Sequence, residues 1–165
     1  MRLTRSTIAV SLLLAFAACS QGGQEATAKA SQVAAQPSVH PVSGLPVREL
    51  KVKSANGTHA FRVEVAATFE QQEKGLMFRT EMGADEGMIF PNNPPRRAAF
   101  WMRNTVIPLD IIFIGTDRRI LNIAANAVPY DETPLPSAGV TSGVLELNGG
   151  RAAQLGIKAG DKVSW

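Results

Sequence analysis

Apolar and polar residues alternate in two short segments near residue 50, and turn-forming residues separate them. The alternation runs over Glu49–Ser54 and His59–Val65, so each segment presents one apolar face. Asn56-Gly57 between them is the strongest short signal for a β-hairpin. The pattern therefore predicts a hairpin in which Val52 lies opposite Phe61.

Two short helices are expected from capping and turn signals. Thr68 and Gln71 have the spacing of a capping box, in which a hydroxyl and an amide satisfy the first free backbone groups of a helix. A helix is predicted over about Phe69–Lys74, ending near Gly75. One further helical turn is predicted at Arg151–Leu155.

The remaining apolar segments are short and are separated by turn chemistry. Two proline-containing segments, Pro91–Pro95 and Pro129–Pro136, are predicted to be loops. Strands with turn signals roughly every 8 to 12 residues are typical of all-β proteins. The sequence predicts a mainly β fold, a single compact sandwich- or barrel-like domain with one or two short helices. The expected further strands are Gly87–Phe90, Ala98–Met102, Leu109–Ile114, Ile120–Val128, Val144–Leu147 and Lys162–Trp165.

The N-terminus has the pattern of a secretory signal. Two arginines, Arg2 and Arg5, precede the apolar stretch Ile8–Phe16, and two alanines lead to Cys19. This order resembles a bacterial lipoprotein signal, so we expect residues 1–18 to be removed and Cys19 to be lipidated. Phe16 differs from the usual aliphatic residue at that position, and ordinary cleavage nearby is the alternative.

Residues 19–45 have the composition of a flexible tether. The segment after Cys19 is rich in Ala, Gln, Ser, Gly and Pro, and its only charged residues are Glu25 and Lys29. Such a chain spans about 25 to 30 Å. Because Ser20 rather than Asp follows Cys19, we expect an outer-membrane lipoprotein that faces the periplasm of a bacterial cell envelope.

The composition of the chain excludes several classes of protein and of partner. The 165 residues suit one domain, expected at 46–165 and as a monomer, and one cysteine excludes an internal disulfide framework. The formal net charge of +3 includes two arginines of the predicted signal, so the mature chain is nearly neutral. Nucleic acid is therefore not an expected partner, and no cofactor is indicated.

Seven sequence blocks occur in the order of a known family, and together they resemble the family called domain of unknown function 192. The resemblance covers nearly all of 46–165 and implies a small, mainly β fold, often exported or lipid-anchored in bacteria. The family has no established activity, so it implies no catalytic residues. The blocks are Val63–Ala66, Glu73–Arg79, Gly87–Phe90, Phe100–Thr105, Ile107–Ile111, Val144–Asn148 and Gly156–Asp161.

Asp110 and Glu146 interrupt otherwise apolar strands, where a charge needs a partner or a shifted pKa. A pair of carboxylates could act as general acid and base in a small hydrolase. The alternative is structural: each carboxylate binds Arg79, Arg103 or backbone amides of a turn. A Ser–His or Cys–His mechanism has no support, because His40 lies in the predicted tether and His59 lies beside the predicted hairpin turn.

Methionines suggest a second possible chemistry. Met77, Met88 and Met102 lie close together in the sequence, and Trp101 is adjacent to the last of them. Thioethers select Cu(I), and an indole face can cover a cation. Methionine is also an adaptable core residue, which is the alternative.

A binding module is the first choice. Trp101, Arg103 and Asn104 follow a predicted strand, and such a cluster suits a sugar ring or cell-wall fragment through stacking and hydrogen bonds. The alternative is that Trp101 is buried and Asn104 caps the turn. We therefore predict a non-catalytic binding or envelope-accessory domain, whose partners are the membrane, through the lipid on Cys19, and an unknown envelope glycan or protein. The candidate binding residues are Trp101, Arg103, Asn104, Arg79, Asp110 and Glu146.

Overall fold

The computed structural model describes residues 38–165, which form one seven-stranded sheet and two short helices. The predicted mainly β, barrel-like fold with short helices is confirmed. In chain order the elements are β1 (Val47–Ser54), β2 (Gly57–Val65), α1 (Phe69–Lys74), β3 (Glu86–Phe100), β4 (Leu109–Gly115), β5 (Ile120–Ala127), β6 (Leu135–Asn148), α2 (Arg151–Gln154) and β7 (Lys162–Ser164).

The sheet is strongly curled. Its strand order is β5-β4-β6-β3-β2-β1-β7, and the segment before β5 reaches β7 through a bridge between Arg119 and Lys162. The backbone N–H of Ile120 donates to Asp161 (2.9 Å) and that of Val163 donates to Arg118 (2.8 Å). These contacts bring the two outer strands together at one end, which leaves little free strand edge there.

Both faces of the sheet bury apolar side chains. One cluster fills the concave interior and includes Leu50, Phe61, Ile112 and Leu145. The second cluster lies on the other face and includes Leu76, Met88, Phe90, Met102, Ile111, Phe113 and Val144. All seven residues of β4 are buried, because this strand is covered on both faces.

The parallel pairing of β2 with β3 requires a crossover, and α1 is part of that connection. The helix runs over Phe69–Lys74 as predicted. Thr68 accepts a hydrogen bond from the backbone of Gln71, and the Gln71 side chain accepts one from the Thr68 backbone. This capping box fixes where α1 begins and therefore which of its residues reach β3.

The predicted hairpin is present, but its register differs by two residues from the prediction. Leu50 pairs with Phe61, and the turn is formed by Ala55 and Asn56. The Ser54 hydroxyl accepts a hydrogen bond from the Asn56 backbone and thereby holds this earlier turn (3.1 Å). Because the shift is an even number of residues, the apolar side chains keep the predicted face.

One predicted loop lies within a long strand, and the last two residues of another begin a strand. Pro91–Pro95 lies within β3, where the pairing with β6 shifts between Pro91 and Arg96. Prolines lack a backbone N–H and are tolerated in a strand at such irregularities. The end of the predicted loop Pro129–Pro136 begins β6, whose first residues pair with the end of β3.

Residues Ser38–Leu45, which the sequence places at the end of the tether, lie against the domain. The Val47 backbone donates to Ser38 (2.8 Å), and Leu45 packs on the second cluster. The predicted signal, Cys19 and the first part of the tether fall in 1–37, outside the described residues. Within 38–165 no helix is long and apolar enough to cross a membrane.

Candidate functional site

A cavity of about 320 Å³ lies between α1, β3 and the loop that follows β3. Apolar walls are supplied by Leu76, Phe90 and Phe100, and the last two rings meet edge to face with centroids 5.0 Å apart. Two acidic residues line the cavity, namely Glu146 of β6 and Glu73 of α1. We call this cavity the Glu146 pocket.

Strand alternation explains why Glu146 faces this pocket. In β6, Val144 belongs to the second cluster whereas Leu145 and Leu147 belong to the interior cluster. Successive side chains point to opposite faces of a strand, so Glu146 shares the face of Val144. Its neighbours across the sheet are Met88 on β3 and Ile111 on β4, both fully buried.

The Glu146 carboxyl group has no partner among residues 38–165 and opens on the cavity. The residue is 5% exposed, and within 38–165 no hydrogen bond or ion pair reaches its side chain. Burial disfavours the charged form and raises the pKa of Glu146 to about 8. At neutral pH the group is therefore a carboxylic acid, which can donate one hydrogen bond into the pocket.

Three cationic side chains line the pocket, namely Lys74, Arg96 and Arg103. Arg96 is oriented by Gln72, whose amide oxygen accepts a hydrogen bond from the guanidinium at 3.2 Å. The Gln72 amide nitrogen donates to the backbone of Ala66 (3.1 Å) and of Pro91 (2.9 Å). Gln72 is thus fixed between the crossover and β3, and it holds Arg96 beside the pocket.

Aromatic side chains stand at the solvent end of the pocket. Trp101 is 46% exposed and Phe69 is 77% exposed, and both line the cavity. The Arg103 guanidinium lies 5.7 Å from the centroid of the Trp101 ring, within the range of a cation–π contact. The predicted alternative of a buried Trp101 is therefore wrong, because nearly half of this residue is exposed.

Residues 51–165 match the family domain of unknown function 192 (DUF192), described as uncharacterized ACR. The chain belongs to this family. The match covers the sheet from within β1 to the C-terminal residue, and it includes every residue of the Glu146 pocket.

Two solved structures are similar to this DUF192 chain. A Novosphingobium aromaticivorans protein of unknown function is 68% identical, with a TM-score of 0.78, covering 80% of this chain and 94% of its own. A Sinorhizobium meliloti protein described as a candidate transcription regulator is 39% identical, with a TM-score of 0.70, covering 73% and 94%. No match was found among curated proteins.

The Asp110 carboxylate binds backbone amides of the DUF192 domain and has a structural role. Its carboxylate accepts hydrogen bonds from the backbone N–H groups of Asn126 (2.9 Å), Gly150 (2.9 Å) and Ala152 (2.8 Å). Asp110 pairs with Leu147, so its side chain faces the interior side of the sheet, opposite to Glu146. The two carboxylates do not share a cleft, and the expected acid–base pair lacks its geometry.

Arg79 lies in a different groove. Its guanidinium forms two hydrogen bonds with the carboxylate of Glu64, at 2.8 and 3.0 Å, and His40 approaches the same carboxylate at 3.6 Å. The groove measures about 1010 Å³ and is lined largely by residues 40–45 and 77–83. Arg79 is therefore paired and is separate from the Glu146 pocket.

Asn104 acts in a turn rather than in the pocket. Its backbone has φ of 52°, and its carbonyl oxygen accepts a hydrogen bond from Phe78 (2.8 Å). Its side-chain amide lies 3.9 Å from the sulfur of Met77. These contacts connect the loop that carries Trp101 and Arg103 to residues 77 and 78, and the predicted capping of the turn before Pro108 by Asn104 stays a prediction.

The three candidate methionines differ in their surroundings. Met88 and Met102 are buried in the second cluster as packing residues, and Met77 lines both cavities. Within 38–165 no group of three His, Cys, Asp or Glu residues is placed to hold a metal ion. The geometry gives the copper hypothesis no support.

Sequence reasoning found Trp101, Arg103 and Glu146 but missed Arg96 and Phe69. Those two residues carried no local signal, because one follows a run of prolines and the other begins a short helix. The crossover between parallel strands β2 and β3 brings them to the same pocket.

Proposed function

We propose that this DUF192 chain is an exported, lipid-anchored, non-catalytic binding domain of the bacterial envelope, and that the Glu146 pocket takes a small ring-bearing molecule. The observation that carries the binding role is the carboxyl group of Glu146, which lines a cavity and has no partner among residues 38–165. A neutral carboxyl group can donate one hydrogen bond. A ligand oxygen inside the cavity can accept that hydrogen bond.

The size and walls of the pocket favour a ligand with one ring. Its volume of about 320 Å³ is at the lower end of the range of small-molecule sites, about 300 to 1,000 Å³. The accessible face of Trp101 can stack on a sugar or aromatic ring, while Phe90 and Phe100 contact apolar atoms deeper in the pocket. Charged side chains around these apolar walls would fix the orientation of the ligand in the pocket.

Ligand binding is tested by thermal denaturation of the purified full chain with four ring compounds: N-acetylglucosamine, N-acetylmuramic acid, 4-hydroxybenzoate and 4-hydroxybenzamide. At 100 times its Kd a ligand adds about 2.7 kcal/mol of stability. We expect at least one compound to raise Tm by several degrees. Trp101→Ala should remove most of that shift because it deletes the stacking surface.

Tyr130→Ala is the matched control, since Tyr130 is an exposed aromatic residue outside the pocket. This variant should keep the full shift. No shift with any of the four compounds would contradict the binding role. A shift that Trp101→Ala leaves intact would show that the ligand binds elsewhere.

Export and anchoring are supported by the basic, apolar and small-residue order before Cys19. We expect radiolabelled palmitate to be incorporated when the full chain is expressed in a diderm bacterium, and the protein to fractionate with the outer membrane. Cys19→Ala should abolish the label, whereas Ser20→Ala should retain it. An unlabelled but exported wild-type chain would contradict the anchor and favour ordinary cleavage.

A further inference from the structure

Resting on the proposed function, we infer that the ligand of the Glu146 pocket is a small ring-bearing organic anion. Its neutral carbonyl or hydroxyl oxygen accepts a hydrogen bond from the Glu146 carboxyl group. Its carboxylate or phosphate lies between the cationic groups of Lys74, Arg96 and Arg103.

The charged side chains that line the pocket determine the sign of the charge that a ligand should carry. The three cations are opposed by one rim carboxylate, that of Glu73, which leaves +2 when Glu146 is neutral. Arg103 also has a distant partner, Glu132, at 4.0 Å in an exposed pair that adds little. A cationic ligand would meet like charge at the rim, whereas an anion is attracted to it.

Arg96 is suited to hold the anionic group. Gln72 accepts a hydrogen bond from one of its terminal nitrogens and is itself fixed by two backbone carbonyls. Because Gln72 already restricts the Arg96 side chain, this side chain loses less conformational entropy when it binds a ligand. A guanidinium offers parallel donors that match the two oxygens of a carboxylate or phosphate.

The protonation state of Glu146 allows an anion to enter the same small cavity. Burial keeps its pKa near 8, so the group is neutral at pH 6.5 and acts as a donor. The other charged groups that line the cavity are Glu73 and Lys74 from α1, Arg96 from β3 and Arg103 from the following loop. We assign the pH dependence to Glu146, because burial raises the pKa of this carboxyl group to about 8.

Above about pH 8 the Glu146 carboxylate repels the anion and loses its O–H donor. The affinity for an anion should therefore be nearly constant below pH 7 and fall up to about tenfold per pH unit above 8. Glu146→Gln retains an N–H donor at every pH, so this variant should bind the anion with little pH dependence.

The test is isothermal titration calorimetry of the full chain at pH 6.5 with two matched pairs of ring compounds. In each pair the ring is kept and the charge removed: 4-hydroxybenzoate against 4-hydroxybenzamide, and N-acetylmuramic acid against N-acetylglucosamine. We expect the anion of at least one pair to bind about tenfold more tightly than its neutral partner. The pair that binds distinguishes an aromatic acid from an acidic amino sugar.

Arg96→Gln should remove most of the preference for the anion, while the neutral compound keeps its affinity. Arg97→Gln is the control, because Arg97 is the adjacent exposed arginine and does not line the pocket. The anion should bind to Arg97→Gln as it does to the wild-type chain.

Three results would overturn the inference. Equal or tighter binding of the neutral compounds would exclude the anion but leave the proposed binding role intact. Equal affinity for the anion at pH 6.5 and pH 9 would exclude the neutral Glu146 donor. Absence of binding by all four compounds would contradict the binding role itself, and the inference with it.

Discussion

Asp110→Ala is expected to lower the free energy of unfolding by about 5 kcal/mol, because three charge-assisted hydrogen bonds are lost at once and such bonds contribute about 1.5 to 3 kcal/mol each. The Asp110 carboxylate is fully buried and accepts from three backbone N–H groups that belong to β5, the turn after β6, and α2. Asn126 and Gly150, two of these donors, have positive φ. The variant leaves all three amides without their acceptor.

Urea denaturation followed by circular dichroism measures this loss. Asp117→Ala is the control, since the Asp117 carboxylate accepts one hydrogen bond from the backbone of Arg119 in an exposed turn. We expect it to cost no more than about 1 kcal/mol. A loss below about 2 kcal/mol for Asp110→Ala would show that the three amides find other acceptors. Because single domains are typically stable by about 5 to 15 kcal/mol, the variant could also fail to fold.

The Glu146 side chain is expected to make the free energy of unfolding depend strongly on pH. Glu146→Gln should remove this dependence. Burial raises the pKa of Glu146 from its ordinary value of 4.5 to about 8 in the folded protein. The folded state therefore retains a proton that the unfolded state releases above about pH 4.5. The contribution of Glu146 to the free energy of unfolding is most favourable below that pH and falls as the pH rises through 8, by about 5 kcal/mol in total.

Denaturation of the wild-type chain and of Glu146→Gln at pH 4.5, 6.5 and 9 tests this sign. With each increase in pH, the free energy of unfolding of Glu146→Gln should rise relative to that of the wild-type chain, because the amide never ionises. Glu132→Gln is the control, because it removes a carboxylate from an exposed pair. The difference in free energy of unfolding between Glu132→Gln and the wild-type chain should be the same at all three pH values. A wild-type chain that becomes more stable between pH 6.5 and 9 relative to Glu146→Gln would contradict burial of an unpartnered acid.

Local signals predicted the elements that depend on residues close in sequence. The capping box of Thr68 and Gln71 located α1 at Phe69–Lys74, and alternation located the hairpin. The hairpin register was harder to predict, because Ser54 and Asn56 form a turn that competes with the Asn-Gly turn. Only parts of the long strands β3 and β6 were predicted, because their irregular pairing accommodates prolines that ordinarily end a strand.

The candidate site could be predicted only in part. Trp101, Arg103 and Glu146 stood out as residue types that are unusual for their surroundings, and they meet in one cavity. Arg79 and Asn104 stood out equally, but one is paired with Glu64 and the other lies in a turn. The difference lies in the partners of each side chain, and residues distant in sequence supply those partners.

The sequence by itself determined the local elements, the apolar faces of the hairpin strands and the family. The tertiary structure decided how β4 and β6 pair, and this pairing separates the two buried acids. Asp110 lies opposite Leu147 and Ile111 opposite Glu146, so the carboxylates face opposite sides of the sheet. A shift of one residue would have placed both on the same face, because side chains alternate with a period of two. Packing across the whole sheet sets that register, and it makes Asp110 a structural residue and Glu146 the candidate binding group.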